Sequence, residues 1–414
     1  MKVVQITFND YGAAGGTSNS TLRYHRTLRR YGIDSKILCR VKGLQTDESE
    51  KISYPRVLER AIREVSSRIG LNDLHAINSF WLAKNKSYRE ADVLHLHSLH
   101  SGFFNYLSLP MLTKNKPAVW NLHDVWGMTG HCAVTFDCQR WKTGCGHCPY
   151  PDTYPPVKRD ATALEWKLKK WAYRRSRIAV VATSHWLAEM AGQSLLGRFP
   201  IHYIPYGIET DIYKPLDQGY SRHTLGIPAG KKVIMFMAVK IDFPLKGGDL
   251  LREALRLLPA ALKKEIIVLT VGHQGQALLE GLDIEGLHLG YVEEDQRKVM
   301  AFSAADVFVC PSRFETFGSV VQESMACGTP VVSFAIGAFP EMVRHGVNGY
   351  TARPEDIADL SKGIQFVLEN DALRQTMRHS CRAMTMNEFT IDLWMKRHID
   401  LYKSLLNPSG ALAQ

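Results

Sequence analysis

Cysteine is sparse, eight in 414 residues, which excludes a scaffold stapled by disulfides. No window approaches the ~20 consecutive apolar residues of a spanning helix. Internal repeats and low-complexity tracts are absent, so solenoid and fibrous classes drop out. Neither a Ser–His–Asp order nor a metal-binding DxD motif stands out. Acidic residues are in the minority, 41 Asp+Glu against 51 Lys+Arg, a net charge of +10. Such a field favours anionic partners: nucleotide phosphates, lipid headgroups or nucleic acid. What remains is ordinary for a soluble globular chain, 45% hydrophobic and 22% charged, long enough for two or three domains of roughly 150 residues. The start, MKVVQITFNDYG, has no A-x-A cleavage signal. It reads as a first core strand, and the expected compartment is the cytoplasm.

Short β-rich runs alternate with helical patterns. KVVQITF from Lys2, DSKILCR from Asp34, DVLHLHS from Asp92, AVWNLHD from Ala118 and RIAVVATS from Arg177 are nearly continuous apolar runs, as parallel strands covered on both faces require. Helical stretches such as Thr21 to Tyr31 lie between them. IHYIPYGIETDIYKPLDQG, from Ile201, is rich in turn formers. A second series follows: KKVIMFMAV, EIIVLTVG, LHLGYV, VFVCPS and PVVSF. The pattern predicts two Rossmann-like, doubly wound α/β domains built of βαβ units, with ligands at the carboxyl ends of the strands. The expected boundaries are 1–207, carrying a cysteine-rich insert at 131–149, then 208–388, then a C-terminal helix within 389–414 packing back on the first domain.

The most informative stretch is PSRFETFGSVVQESMACGTPVVSFAIGAFPE, Pro311 to Glu341. A strand ends at Cys310-Pro311-Ser312, and Glu315 sits in the next loop. Gly318 opens a helix that reaches Ala326 and stops at Gly328. A glycine at a helix N-terminus lets an anion approach the unpaired N–H groups, and the helix dipole favours it there. Glu323, just over one turn in, suits two vicinal hydroxyls such as those of a ribose. The string resembles the donor-binding signature of the retaining glycosyltransferases of family 4, which have the GT-B fold. In that family Glu, seven residues and Glu lie between a proline-serine turn and a glycine-threonine-proline turn. The resemblance runs from Gly15-Gly16 to Glu341-Met342-Val343-x-x-Gly346-x-Asn348-Gly349. It implies that Glu315 orients the donor sugar, that Glu323 holds the ribose, and that the backbone of Gly318, Ser319 and Val320 meets phosphates and sugar. Where the family commonly has two adjacent glycines, this chain has Gly337-Ala338.

The resemblance also implies a basic pair after the first strand of the second domain. Lys246, before Gly247-Gly248, matches the lysine. Lys240 stands near the arginine position as a point charge without bidentate geometry. In the first domain GAAGGT, Gly12 to Thr17, joins a strand to a helix, and Gly15 and Gly16 would lie beneath the donor. His123 matches the histidine that contacts the transferred sugar. His95 and His97 alternate along one strand and so share a face. With His100 they suit packing or acceptor-side roles. Lys246 and the helix N-terminus would stabilise the leaving diphosphate while the acceptor hydroxyl attacks from the same face. That scheme needs no protein nucleophile and no catalytic metal or other cofactor.

Four cysteines, Cys132, Cys138, Cys145 and Cys148, crowd into HCAVTFDCQRWKTGCGHCP. A tetrahedral structural zinc suits four thiolates so spaced, with His131 and His147 as spare donors. An iron–sulfur cluster, a disulfide and unligated thiols are the other readings. A similar insert occurs in a subset of polysaccharide-building family 4 enzymes.

The expected function is transfer of a hexose from a nucleotide diphosphate sugar, UDP- before GDP-linked, to a saccharide acceptor carried on a lipid, in exopolysaccharide or related glycan assembly. The alternatives are the same fold acting on a small soluble acceptor, and a zinc-containing nucleic-acid-binding protein. The second is disfavoured by the carboxylates Glu315 and Glu323 at the glycine-led helix start, and no nucleic-acid partner is expected. Peripheral binding to the anionic inner face of the membrane is predicted from EWKLKKWAYRRSR, Glu165 to Arg177, with Leu164, Leu168, Trp171 and Arg175 packed inward and Trp166 and the basic residues outward. RVLERAIREVSSR, from Arg56, would extend the patch.

Overall fold

The structure, a computed structural model, describes residues 1–10, 16–53 and 56–407. The chain divides into two compact units, Met1–Ile204 with Met395–Gln414, and Pro205–Trp394.

The first unit is built on seven strands: β1 (Lys2–Asn9), β2 (Asp34–Val41), β3 (Ser49–Lys51), β4 (Val93–Leu96), β5 (Ala118–Asn121), β6 (Ile178–Ala182) and β7 (Ile201–Tyr203). They pair in parallel in the order β3-β2-β1-β4-β5-β6-β7. β4, β5 and β6 are buried along their whole length, which is why they read as unbroken apolar runs. Two strands escaped the sequence. β3 is polar (SEK), and β7 lies inside the stretch from Ile201 that is rich in turn formers, where three half-buried residues complete an edge.

The second unit has six parallel strands: β8 (Lys232–Lys240), β9 (Ile266–His273), β10 (Glu285–His288), β11 (Val307–Cys310), β12 (Val331–Phe334) and β13 (Gly349–Ala352), in the order β10-β9-β8-β11-β12-β13. β13 (GYTA) was also missed; it is short and begins with glycine. One continuous core, with Phe236, Leu251, Val268, Val309 and Leu360 among its members, lies between sheet and helices. In both sheets the strand order reverses direction once, between β1 and β4 and between β8 and β11. Those switch points are where open α/β sheets leave room for a ligand beyond the strand ends.

The last helix, Ile391–Leu406, is divided between the units at Trp394/Met395. Within the first unit its Tyr402 hydroxyl lies 2.6 Å from that of Tyr24.

The helix Thr162–Tyr173 corrects the sequence reading of its faces. Glu165, Trp166, Lys169, Ala172 and Tyr173 are buried, whereas Leu164 and Trp171 are 47% and 46% exposed. The inner face is polar because it packs on backbone carbonyls: Lys169 Nζ donates to Trp126 O and Thr129 O at 2.8 and 3.0 Å, and Trp166 Nε1 donates to Trp141 O at 3.1 Å. The outer face therefore carries Leu164 and Trp171 among exposed Lys167, Arg174 and Arg175. The helix Arg56–Arg68 also turns apolar groups outward, with Val57 86% and Val65 64% exposed among Arg60, Arg63 and Arg68.

Candidate active site

The second unit's switch point is assembled from the loops after β8 and β11. The chain leaves β8, makes a single tight turn at Pro244–Lys246, and enters the helix Gly248–Arg256 through Gly247, whose φ is +69°. A Cβ on Gly247 would lie 2.0 Å from the Pro311 carbonyl oxygen, so only glycine lets the two loops touch. Arg313 fastens them. Its backbone N–H donates to Leu245 O at 2.9 Å. Its guanidinium donates to Pro244 O and, through two nitrogens at 2.9 and 2.6 Å, to the Asp249 carboxylate. No motif pointed to Arg313; its place before Phe314-Glu315 was the available signal.

This fastening brings Lys246 Nζ to 2.9 Å from Glu315 Oε2, the two side chains 34% and 17% exposed. The Glu315 carboxylate raises the Lys246 pKa against the opposing effect of burial, so the lysine is cationic at neutral pH. The Glu315 backbone is held as well. Gly337, at φ +50°, would drive a Cβ to 2.0 Å from Glu315 O, and Ala338 N–H donates to that oxygen at 3.3 Å. Ala338 itself has φ −78°, so its position does not require a second glycine.

Gly318 caps the next helix at φ +90°, and the helix proper is Ser319–Ala326, one residue later than the sequence suggested. The N–H groups of Ser319 and Val320 lack acceptors inside the helix by geometry. Glu323 is half-buried on the same helix, which is anchored by Gln322 Nε2 donating to Tyr206 O at 2.6 Å. A cation, a carboxylate and an open helix start thus lie along one loop-to-helix path. Lys240 is exposed at the end of β8, in register with His273.

In the first unit Gly15 lies outside the described residues, and Gly16 begins the helix Gly16–Arg30. His123 follows β5 and shares a hydrogen bond with His97, Nε2 to Nδ1 at 3.0 Å. Burial holds His123 down at about 4 against the pull of Asp124. His95 and His97 do share a face: their rings stack at 4.6 Å with 10° between planes. His100 departs from that pair. Its Nε2 lies 2.7 Å from Asp124 Oδ2, and although burial opposes protonation, that carboxylate raises its pKa.

The four clustered thiols line one cavity together with His131. His131 Nε2 is 3.3 Å from Cys148 Sγ, and Gly130 N–H donates to Cys145 Sγ at 3.2 Å. Burial raises Cys132 and Cys145 to about 12 and about 11. Soft sulfur and imidazole donors suit zinc. Among the described residues, however, no group of three or more His, Cys, Asp or Glu side chains is placed to hold a metal ion.

Two family models match this chain in succession, "Glycosyltransferase Family 4" over residues 14–212 and "Glycosyl transferases group 1" over 219–384. The chain belongs to the glycosyltransferases built from these two domains, and its fold is GT-B. It is 29% identical over 379 residues to the putative colanic acid biosynthesis glycosyl transferase WcaC of Escherichia coli K12, covering 86% of this chain and 88% of that one. Among solved structures, sucrose-phosphate synthase from Thermosynechococcus elongatus superposes with a TM-score of 0.71 at 18% identity, covering 98% of each chain. HepE from Anabaena, solved with UDP and glucose, gives 0.68 at 18% identity, covering 98% of this chain and all of its own. Among the described residues no helix is long and apolar enough to cross a membrane.

Proposed function

We propose that this glycosyltransferase moves a hexose, with retention of configuration, from a nucleotide diphosphate sugar, UDP-linked before GDP-linked, to a lipid-carried saccharide in exopolysaccharide or related glycan assembly. The observation that carries this reading is the Lys246–Glu315 pair at the second unit's switch point, beside the open start of the helix Ser319–Ala326. Lys246 and the N–H groups of Ser319 and Val320 offset the negative charge that grows on the leaving diphosphate. Glu315 orients the sugar and Glu323 accepts from the ribose hydroxyls. The acceptor hydroxyl attacks from the face the diphosphate leaves, and the diphosphate takes its proton. The names of the relatives agree with this chemistry: HepE was solved with UDP and glucose, and WcaC is described as a colanic acid enzyme.

The acceptor reaches the enzyme at an anionic membrane surface. Support comes from the outward Leu164 and Trp171 among Lys167, Arg174 and Arg175, and from the outward Val57 and Val65 among arginines, since such mixed faces lie at the headgroup boundary. Cys132, Cys138, Cys145 and Cys148 would hold a structural zinc ion, which would order the segment after His123. The test is a thermal-shift screen of UDP- and GDP-sugars, then NMR of the sugar released from the stabilising donor. Release of the donor's own anomer supports retention. The opposite anomer refutes retention, and a complete lack of stabilisation and hydrolysis refutes the donor site.

A further inference from the structure

We propose that Gln5 and His97 are positioning residues for His123: a buried chain of hydrogen bonds across the first sheet fixes which imidazole nitrogen of His123 carries the proton. Ser35 on β2, Gln5 on β1, His97 just beyond β4 and His123 just beyond β5 come from four adjacent strands or the turns that follow them. Gln5 is wholly buried, and Ser35 and His97 are nearly so. Polar groups so placed in an apolar sheet are costly unless every one is paired.

The pairing has a direction. With the Gln5 amide oriented so that Nε2 donates to Ser35 Oγ at 3.0 Å, a hydroxyl that also meets His25 Nδ1 at 2.9 Å, its Oε1 faces His97 Nε2 at 3.1 Å. An amide oxygen only accepts, so His97 Nε2 bears hydrogen. The other nitrogen of a neutral imidazole is then bare. His97 Nδ1 must therefore accept, and the atom opposite it, at 3.0 Å, is His123 Nε2. His123 is held as the Nε2–H tautomer, with Nδ1 the bare nitrogen. Burial keeps both rings neutral, lowering His97 well below the usual histidine range as it does His123.

The ring of His97 is gripped on its face as well. His95 stacks on it, His95 Nδ1 is hydrogen-bonded to the Tyr402 hydroxyl, and that hydroxyl meets Tyr24. The charged or titratable groups around this pair are Asp124 and His100 beside His123, and His95, His398 and Tyr24 beside His97. The same burial would serve a purely structural network, so the test reads the proton itself.

The full chain, labelled with 15N-histidine, is studied by long-range proton–nitrogen correlation, and His123→Asn assigns the ring. His123 protonated on Nε2 is the expected result. Gln5→Met keeps the side-chain volume and removes the acceptor, so His123 shifts to a mixture of tautomers. His97→Phe keeps a ring against His95, removes both nitrogens and gives the same shift. With UDP-glucose as probe, both variants lose about tenfold or more in kcat for donor hydrolysis with unchanged affinity for UDP. That last step rests on the transferase reading, whereas the tautomer is measured without substrate, so the two fail separately. Wild-type His123 protonated on Nδ1, or a tautomer unmoved in both variants, overturns the proposal.

Discussion

Replacing Lys169 by methionine tests the least expected feature of the first unit, a fully buried cation. Its Nζ donates to two loop carbonyls at 2.8 and 3.0 Å and lies 3.4 Å from the centre of the Trp126 ring. One turn earlier on the same helix Glu165 is buried too. It accepts from the Tyr106 hydroxyl, and its Oε1 has no partner. Methionine preserves the packing of the stem but leaves two carbonyls unsatisfied, about 1–3 kcal/mol each. A net loss of ~2–6 kcal/mol in a unit of this size lowers its melting temperature by roughly 4–24 °C, at about 2–4 °C per kcal/mol. Calorimetry of the full chain is the assay. A pH series adds a second check. Burial lowers Lys169 from 10.5 to about 8, so between those values the unfolded chain binds more protons than the folded one, and wild-type stability climbs with pH across that window. Lys169→Met should lose this climb. A variant melting within ~1 °C of wild type, with the climb intact, would refute the reasoning.

The other expectations concern the reaction and its setting. Lys246→Ala should lower turnover about 10²–10³-fold while nucleoside diphosphate affinity changes far less, as steady-state kinetics and calorimetry will show; wild-type turnover at saturating donor removes Lys246 from the mechanism. Glu323→Ala should weaken nucleoside diphosphate binding by about 1.5–3 kcal/mol, and an unchanged calorimetric affinity counts against the ribose contact. Elemental analysis of protein purified without chelator should find about one zinc per chain, lost in Cys145→Ser and Cys148→Ser; metal-free native protein ends the zinc reading. Native protein should co-sediment with anionic vesicles at low salt, and Trp171→Ala combined with Lys167→Glu and Arg174→Glu should release it, at ~1 kcal/mol per basic residue. Absence of native binding would favour a soluble acceptor.

Periodicity and one motif made most of the architecture legible. Parallel strands buried on both faces must be apolar throughout, so β1, β4, β6, β8, β9 and β11 announced themselves. The spacing from Glu315 to Gly318 to Glu323 encodes a loop followed by a helix start, a local feature that neighbours in sequence specify. Short or polar edge strands did not announce themselves, because β3 and β7 are paired by a sheet that already exists. The faces of the helix Thr162–Tyr173 were misread for a related reason. Its burial answers to the carbonyls of Trp126 and Thr129, some forty residues earlier in the chain, and such a partner reverses the ordinary rule that lysine faces water. Arg313 as a fastener, the pairing of Lys246 with Glu315, and the path from Gln5 through His97 to His123 all join residues dozens of positions apart. A strand motif can require glutamine or histidine at a position, but only the stacking of β2, β1, β4 and β5 side by side decides which acceptor each proton meets.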